Sequence, residues 1–482
     1  MLDISKKLEG IIGSMAWVAP ELWLVLLLSS ILVLDLILLK KENKTSLLYI
    51  AIAGLVVSLF FINQPAEGIP ADLFLGMLAP SATATFFKNI FVLSGIATLL
   101  LTLMGKKAKS TPGEFFVILL AIILGLNLMV MASNLLMVYL AIELVSISSY
   151  TLTFFKFDKK SAEGSMKYLL FGAVSSAVML YGISLLYGMN GSLSLNMDLS
   201  ATNPMVSFVA LALTFGGLLF KISAPPFHVW TPDVYESAPT PLAAFFSVAP
   251  KAAGIGVFIN LTQSIANFSD QTALLSFLAI AAGLSMLIGN FSAIWQKNAK
   301  RMLAYSSIAH AGFLMLVLFS WQYSGKEAVL FYIGTYFLMN FAAFGLVHFV
   351  EEQKGSALFN AMNGLGMRLP FLGILMIIVM ISLTGLPPTA GFTAKLFIFS
   401  GLWEAYSASG NQLLLTLFIF GLANTLVALF YYIRIPFVMF FKKEEGKTTF
   451  QPSIFEILFL AILSLSLLAI FFQPSWLLGL VG

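Results

Sequence analysis

The sequence contains no cysteine. Disulfides, thiolate-held iron–sulfur clusters, thioether-attached haem and zinc–thiolate sites are therefore excluded from this chain, and any redox chemistry coupled to it must take place in another polypeptide. Charge is nearly as scarce. Only 10% of the 482 residues are Asp, Glu, Lys or Arg, against about 25% in a soluble domain. No polar stretch is long enough for an extramembrane domain, and no nucleotide loop is evident. With 59% hydrophobic residues and a mean hydropathy of +0.96, a soluble enzyme is ruled out. The net charge of +4 does not imply nucleic acid, because in a membrane protein the positions of charges matter more than their sum.

What is present is a succession of apolar runs, each close to the roughly 20 residues that cross a bilayer. The first, 17–39, is too long for a signal-peptide core and lacks a clean small-residue cleavage site, so it is expected to be the first membrane helix. Further spans are expected near 47–63, 89–104, 115–132, 134–155, 165–188, 206–237, 240–263, 272–293, 302–321, 327–349, 369–405, 412–433 and 453–475, fourteen in all. The seventh and twelfth are too long for one straight crossing. They contain Pro225-Pro226 and Pro387-Pro388, whose missing N–H groups and ring clashes break a helix.

If the loops alternate sides, one side receives 18 basic residues, in the clusters Lys40–Lys44, Lys106–Lys109, Lys156–Lys160, Lys297–Arg301, Lys354–Arg368 and Arg434–Lys447. The other receives four, Lys6, Lys7, Lys88 and Lys326, together with Glu67, Asp72, Asp198, Asp270 and Glu404. The positive-inside rule then places the first side in the cytoplasm and both termini outside it.

Four basic residues remain inside spans: Lys167, Lys221, Lys251 and Lys395. A Lys at the bilayer centre costs about 2.5–3.5 kcal/mol even on the lenient insertion scale, so it is found facing a protein interior or a wet cavity. Among the acids, Glu21, Asp35 and Glu456 read as reaching the interface, and Glu143 reads as the one clearly buried carboxylate. Spans four to eight and nine to thirteen form two units of five, and an odd count inverts the second relative to the first. In each the fourth span is the broken one, with Lys221 four residues before Pro225 and Lys395 seven after Pro388. Broken helices at matching places in two inverted halves point to an ion path at the midplane.

The expected fold is thus an all-α integral membrane protein of about fourteen helices with two inverted five-helix repeats. It divides into an N-terminal packing region of three helices (1–112), a first repeat (113–264), a second repeat (265–437) and a C-terminal helix (438–482). His348, beside Glu351 and Glu352, reads as interfacial. His310, mid-helix in the second repeat, fits either a proton path or a satisfied core histidine, and His228 after the first break fits either. Lys167, close to the Lys156–Lys160 cluster, either lines the path or snorkels to the interface. The three histidines are too scattered for a metal site.

The segment Lys221-Ile-Ser-Ala-Pro-Pro-Phe-His-Val-Trp-Thr-Pro-Asp-Val-Tyr-Glu-Ser-Ala-Pro-Thr-Pro241, followed by Ser247-Val-Ala-Pro-Lys-Ala-Ala-Gly254, resembles the signature of subunit N of proton-translocating NADH:quinone oxidoreductase, respiratory complex I. The likeness runs over essentially the whole chain. It takes in Glu143, Ser161-Ala-Glu-Gly-Ser-Met-Lys-Tyr168, Lys300-Arg-Met-Leu-Ala-Tyr-Ser-Ser-Ile-Ala-His310 and Gly385-Leu-Pro-Pro-Thr-Ala-Gly-Phe-Thr-Ala-Lys395. The wider family includes other antiporter-like complex I subunits and cation/proton antiporter subunits.

The resemblance implies a fourteen-helix subunit of a bacterial cell inner membrane complex, packed among membrane-arm and peripheral-arm subunits. It implies no prosthetic group in this chain, with NADH, FMN, iron–sulfur clusters and quinone in the partners. It also implies a proton relay through Glu143, Lys221, Lys251 and Lys395, to which the residues' own positions add Lys167, His228 and His310 as further candidates. Desolvation disfavours the charged form of a buried Lys and a nearby carboxylate favours it, so a Lys whose carboxylate partner moves away is a switchable proton holder. Glu143 and Lys221 are expected to form such a pair. The alternative is a stand-alone or Mrp-type cation/proton antiporter. A quinone-processing enzyme or a pure scaffold is weaker, since no redox ligand is visible and scaffolding needs no midplane Lys.

Overall fold

The computed structural model describes residues 2–37, 44–64, 73–106, 108–199, 202–264, 271–443 and 451–479. Lys40, Lys41, Lys107 and Lys447, and Glu67, Asp72 and Asp270, lie outside the described residues. Among the described residues the regular structure is helical and the extended contacts are isolated bridges. With no water in a bilayer core, a chain this apolar closes its backbone hydrogen bonds within helices.

The N-terminal region comprises α1 (Leu2–Ser14), α2 (Ala19–Ile37), α3 (Thr45–Ile62) and α4 (Ala82–Met104). The first repeat follows as α5 (Gly113–Met131), α6 (Leu135–Thr153), α7 (Lys159–Asn190), the broken pair α8 (Pro204–Ile222) and α9 (Trp230–Ser237), and α10 (Thr240–Ser264). The second is α11 (Gln271–Ile294), α12 (Ala299–Leu316), α13 (Lys326–Lys354), the one-turn α14 (Leu365–Arg368), the broken pair α15 (Pro370–Thr384) and α16 (Ala390–Ser409), and α17 (Gln412–Tyr432), which runs on into α18 (Arg434–Phe441). The chain closes with α19 (Ile454–Phe472) and α20 (Ser475–Leu478). Thirteen of the described helical runs are long and apolar enough to cross a membrane. The pair α15 and α16 supplies a fourteenth crossing, because its first half, at 15 residues, is too short alone.

The repeat is visible in how the helices begin and end. Asn134 caps α6 by accepting from the Leu136 N–H at 2.8 Å, and Asn298 caps α12 by accepting from the Lys300 N–H at 2.9 Å, each satisfying a donor left over at a helix start. Both asparagines also form an isolated antiparallel bridge, Asn134 with Ser194 and Asn298 with Leu358. The third helix of each repeat closes on a left-handed glycine, Gly191 at φ +64 and Gly355 at φ +70. Each of these three correspondences spans 164 residues. At that interval Ser146 matches His310, and Glu143 matches Ser307. His310 therefore shares the second helix with Glu143, as expected, but stands one turn away from its equivalent position.

The described chain packs as two compact units. One comprises Met1–Leu103, Lys107–Ile222 and Ala249–Leu274, and the other Met104–Lys106, Ser223–Val248 and Leu275–Gly482. These units follow packing, whereas the partition at 112, 264 and 437 follows the helix count.

Several charges sit deeper than expected. Glu21 and Asp35, read as interfacial, are each 4% exposed, whereas Glu143 is only half-buried. Glu21 is ion-paired with Lys88 at 2.8 Å and Asp35 with Lys44 at 2.6 Å. Helix α4 begins at Ala82 and α12 at Ala299, so Lys88 and Lys300, assigned to loops, are buried helix residues. His348, read as interfacial, is also buried in α13, because that helix continues to Lys354.

Candidate functional site

The two helix breaks are built alike. Helix α8 ends at Ile222, Ser223 turns the chain at φ +62, and α9 restarts at Trp230 beyond Pro225-Pro226. In the second repeat α15 ends at Thr384, Gly385 turns the chain at φ +86, and α16 restarts at Ala390 beyond Pro387-Pro388. The positive-φ residue stands two positions before the proline pair in both. Glycine takes that backbone freely and serine at some cost.

Each break has a buried Lys beside it. Lys221, in the last turn of α8, is 1% exposed, and its Nζ donates to the Ser146 hydroxyl on α6 at 3.2 Å. Glu143, one turn before Ser146, accepts a hydrogen bond from the Ser176 hydroxyl on α7. The expected direct Glu143–Lys221 contact is therefore replaced by a separated arrangement, with each charge on a serine. Lys395, in the second turn of α16, folds back across the other break. Its Nζ donates to the Thr384 carbonyl at 2.7 Å, an acceptor left free at the end of α15, and stands 4.6 Å from the Phe313 ring centroid. A Cβ on Gly385 would meet Lys395 Cδ at 2.6 Å, so glycine there supplies both the turn and the room for the lysine. The same Lys lines a cavity of about 400 Å³ with Gly385, Phe392, Phe399, Trp403 and Phe418. Lys251 is also 1% exposed and follows Pro250 inside α10, where the missing N–H leaves a backbone carbonyl without its helical donor.

His310 bridges two hydroxyls. Nδ1 lies 2.6 Å from the Tyr332 hydroxyl and Nε2 3.1 Å from that of Tyr432, which also bonds Ser306. All four side chains are buried. An imidazole bonded at both nitrogens can take a proton on one and release it from the other, so the satisfied-histidine and proton-path readings describe one geometry. The remaining candidates are more exposed. Lys167 is 41% exposed at its side chain and pairs with Glu163 at 2.7 Å, and His228 is half-buried.

Residues 132–430 match the family model described as NADH:quinone oxidoreductase/Mrp antiporter, transmembrane. NADH-quinone oxidoreductase subunit N from Chlorobium chlorochromatii (strain CaD3) is 37% identical over 497 aligned positions, covering 98% of this chain and 95% of the relative. The chain belongs to the subunit N family of NADH-quinone oxidoreductase. A chain of respiratory complex I from Thermus thermophilus, solved with bound aureothin, superposes with a TM-score of 0.79 at 29% identity, covering 95% of this chain and 98% of that one. A chain of the Mrp complex from Dietzia sp. DQ12-45-1b has the same TM-score at 17% identity, covering 96% of each chain, and so shares the fold alone.

Two of the motifs that carry the resemblance to the subunit N family meet in the structure. Arg301, from the Lys300-Arg-Met stretch, binds Asp233 at 2.5 Å and Glu236 at 3.1 Å in the Trp-Thr-Pro-Asp-Val-Tyr-Glu stretch. Lys300, 1% exposed, donates to the Ala238 carbonyl at 2.8 Å and lies 3.5 Å from Glu351, which also accepts from Thr240. These contacts fasten α9, the short half of the broken helix, to α12 and α13. Sequence reasoning missed Ser146, Ser176, Tyr332 and Tyr432, since single serines and tyrosines are unremarkable in membrane helices. The repeat interval, which matches Ser146 to His310, is the signal that points to one of them.

Proposed function

We propose that this chain is a proton-translocating membrane-arm subunit of NADH:quinone oxidoreductase. In this reading protons move along Glu143, Lys221, Lys251 and Lys395, driven by redox chemistry in other subunits, and the chain carries no redox centre. The observation that carries the reading is the burial of Lys221, Lys251 and Lys395, the first and last of them at helix breaks and bonded to a neutral hydroxyl or carbonyl rather than to a carboxylate. Such a Lys is poised to change its charge instead of serving as half of a fixed ion pair. One pKa unit is about 1.4 kcal/mol, and moving one charge through 100 mV costs about 2.3 kcal/mol. A swing of about two units per carrier therefore matches that field. His310 with Tyr332 and Tyr432 forms a branch of the same path in the second repeat. NADH, FMN, iron–sulfur clusters and quinone belong to the partner subunits, and the assembly lies in a bacterial inner membrane with both termini of this chain outside the cytoplasm.

An Mrp-type antiporter is the rival reading. Alkali ions want carboxylate and carbonyl oxygens, whereas along the proposed path Lys221, Lys251 and Lys395 outnumber Glu143, and that excess of positive charge disfavours them. Purification in mild detergent separates the two. Co-elution with flavin and iron–sulfur absorbance is expected, and isolation of the chain with other antiporter subunits, free of either chromophore, would overturn the assignment.

A further inference from the structure

We infer that Ser146 is a positioning residue for proton release, the second of two stations that Lys221 occupies in turn. The inference rests on the relay reading and assigns a role to a side chain that reading leaves out. In the structure the ammonium group of Lys221 is on the Ser146 hydroxyl at 3.2 Å, while Glu143, three residues earlier on the same face of α6, is held by Ser176. Lys221 and Ser146 are both 1% exposed, so water does not substitute freely for this bond.

The chemistry of the two stations differs in kind. An ionised carboxylate only accepts hydrogen bonds, so Glu143 supports the ammonium form of Lys221 and offers no donor to the lone pair of the amine. A hydroxyl both donates and accepts. At Ser146 the ammonium N–H is accepted by Oγ. When that lysine's proton leaves along a water chain toward Lys251, the N–H bond breaks, its electron pair stays on nitrogen, and the Ser146 O–H turns to donate to the new lone pair. Lys221 is thereby bonded in both charge states, where otherwise the buried neutral amine would carry an unsatisfied acceptor. Reprotonation reverses the hydroxyl, and a step of one helical turn returns the ammonium to Glu143.

The repeat supports this independently. The position 164 residues on from Ser146 is His310, another side chain that donates and accepts, and it too is buried and hydrogen-bonded, at both ring nitrogens. Both repeats thus place an amphoteric group at one point of their second helix.

The test is Ser146→Ala and Ser146→Thr in the whole complex, reading assembly, NADH oxidation and proton uptake into inverted vesicles from pH 5.5 to 9. Ser146→Ala should assemble normally and pump at least threefold more slowly at neutral pH, with the acid-side limb displaced from its wild-type position. Ser146→Thr, which keeps the hydroxyl, should recover most of the rate and the original limb. Wild-type rate and profile in Ser146→Ala would overturn the proposal, as would equal loss in both variants with an unshifted profile, which marks a packing residue. Lys221→Arg, run in parallel, separates the two levels. If it blocks pumping while Ser146→Ala is silent, the relay stands and the Ser146 station falls, and if it pumps normally the relay itself falls.

Discussion

Lys395 shows how closely one side chain depends on the residues around it. Its stem crosses the space that a Cβ at Gly385 would fill, its amine caps the last carbonyl of α15, and its charge lies against the Phe313 ring. Gly385→Ala would combine a disfavoured left-handed backbone, about 1–2 kcal/mol, with a clash against the Lys395 stem. The complex should assemble with a lower melting temperature and a several-fold loss of proton uptake, and unchanged uptake would show that the Lys395 position is immaterial. At this scale Lys221, Lys251 and Lys395 could be read from the sequence as buried, because Lys is rare and costly inside an apolar run. Glu21, Asp35, Lys88 and Lys300 could not, since their burial follows from helices that begin earlier than their apolar windows and from ion pairs between separate elements. Ser146 and Tyr432 carry no charge to mark them.

The broken helices place Lys221 and Lys395, and the proline pairs make the breaks legible in the sequence. What the sequence did not disclose is how the short half is held. Helix α9 has only eight residues, too few to be stable by its own hydrogen bonds, and it is fixed instead by Arg301 on Asp233 and Glu236 and by Lys300 on the Ala238 carbonyl. Arg301→Glu sets a third acid against two and should lower the assembled complex severely. Adding Asp233→Arg to Arg301→Glu should restore part of the assembly, measured as complex per membrane protein, because an opposite-charge pair is re-formed at the same place. No recovery in the double variant would mean that Arg301 acts through contacts other than this ion pair. The partners stand 68 and 65 positions apart in sequence, which is why no local pattern betrayed them.

At the scale of the whole chain, three crossings come first in sequence and a duplicated set of five follows. The duplication was legible as helix count and break position, and its register only from the caps at Asn134 and Asn298 and the glycines at 191 and 355. Those features are structural punctuation without hydropathy, so they leave no mark in the pattern of apolar runs. Whether Lys221 carries a proton or only holds helices together is decided by Lys221→Arg. Arginine keeps the positive charge and can still bond Ser146 or pair with Glu143, but its pKa above about 12 prevents it from releasing a proton. In inverted membrane vesicles, normally assembled Lys221→Arg complex should lose proton uptake and with it most quinone-linked NADH oxidation, since a blocked coupled step holds back the driving reaction. Wild-type uptake at wild-type assembly would contradict the claim and leave Lys221 as a structural cation.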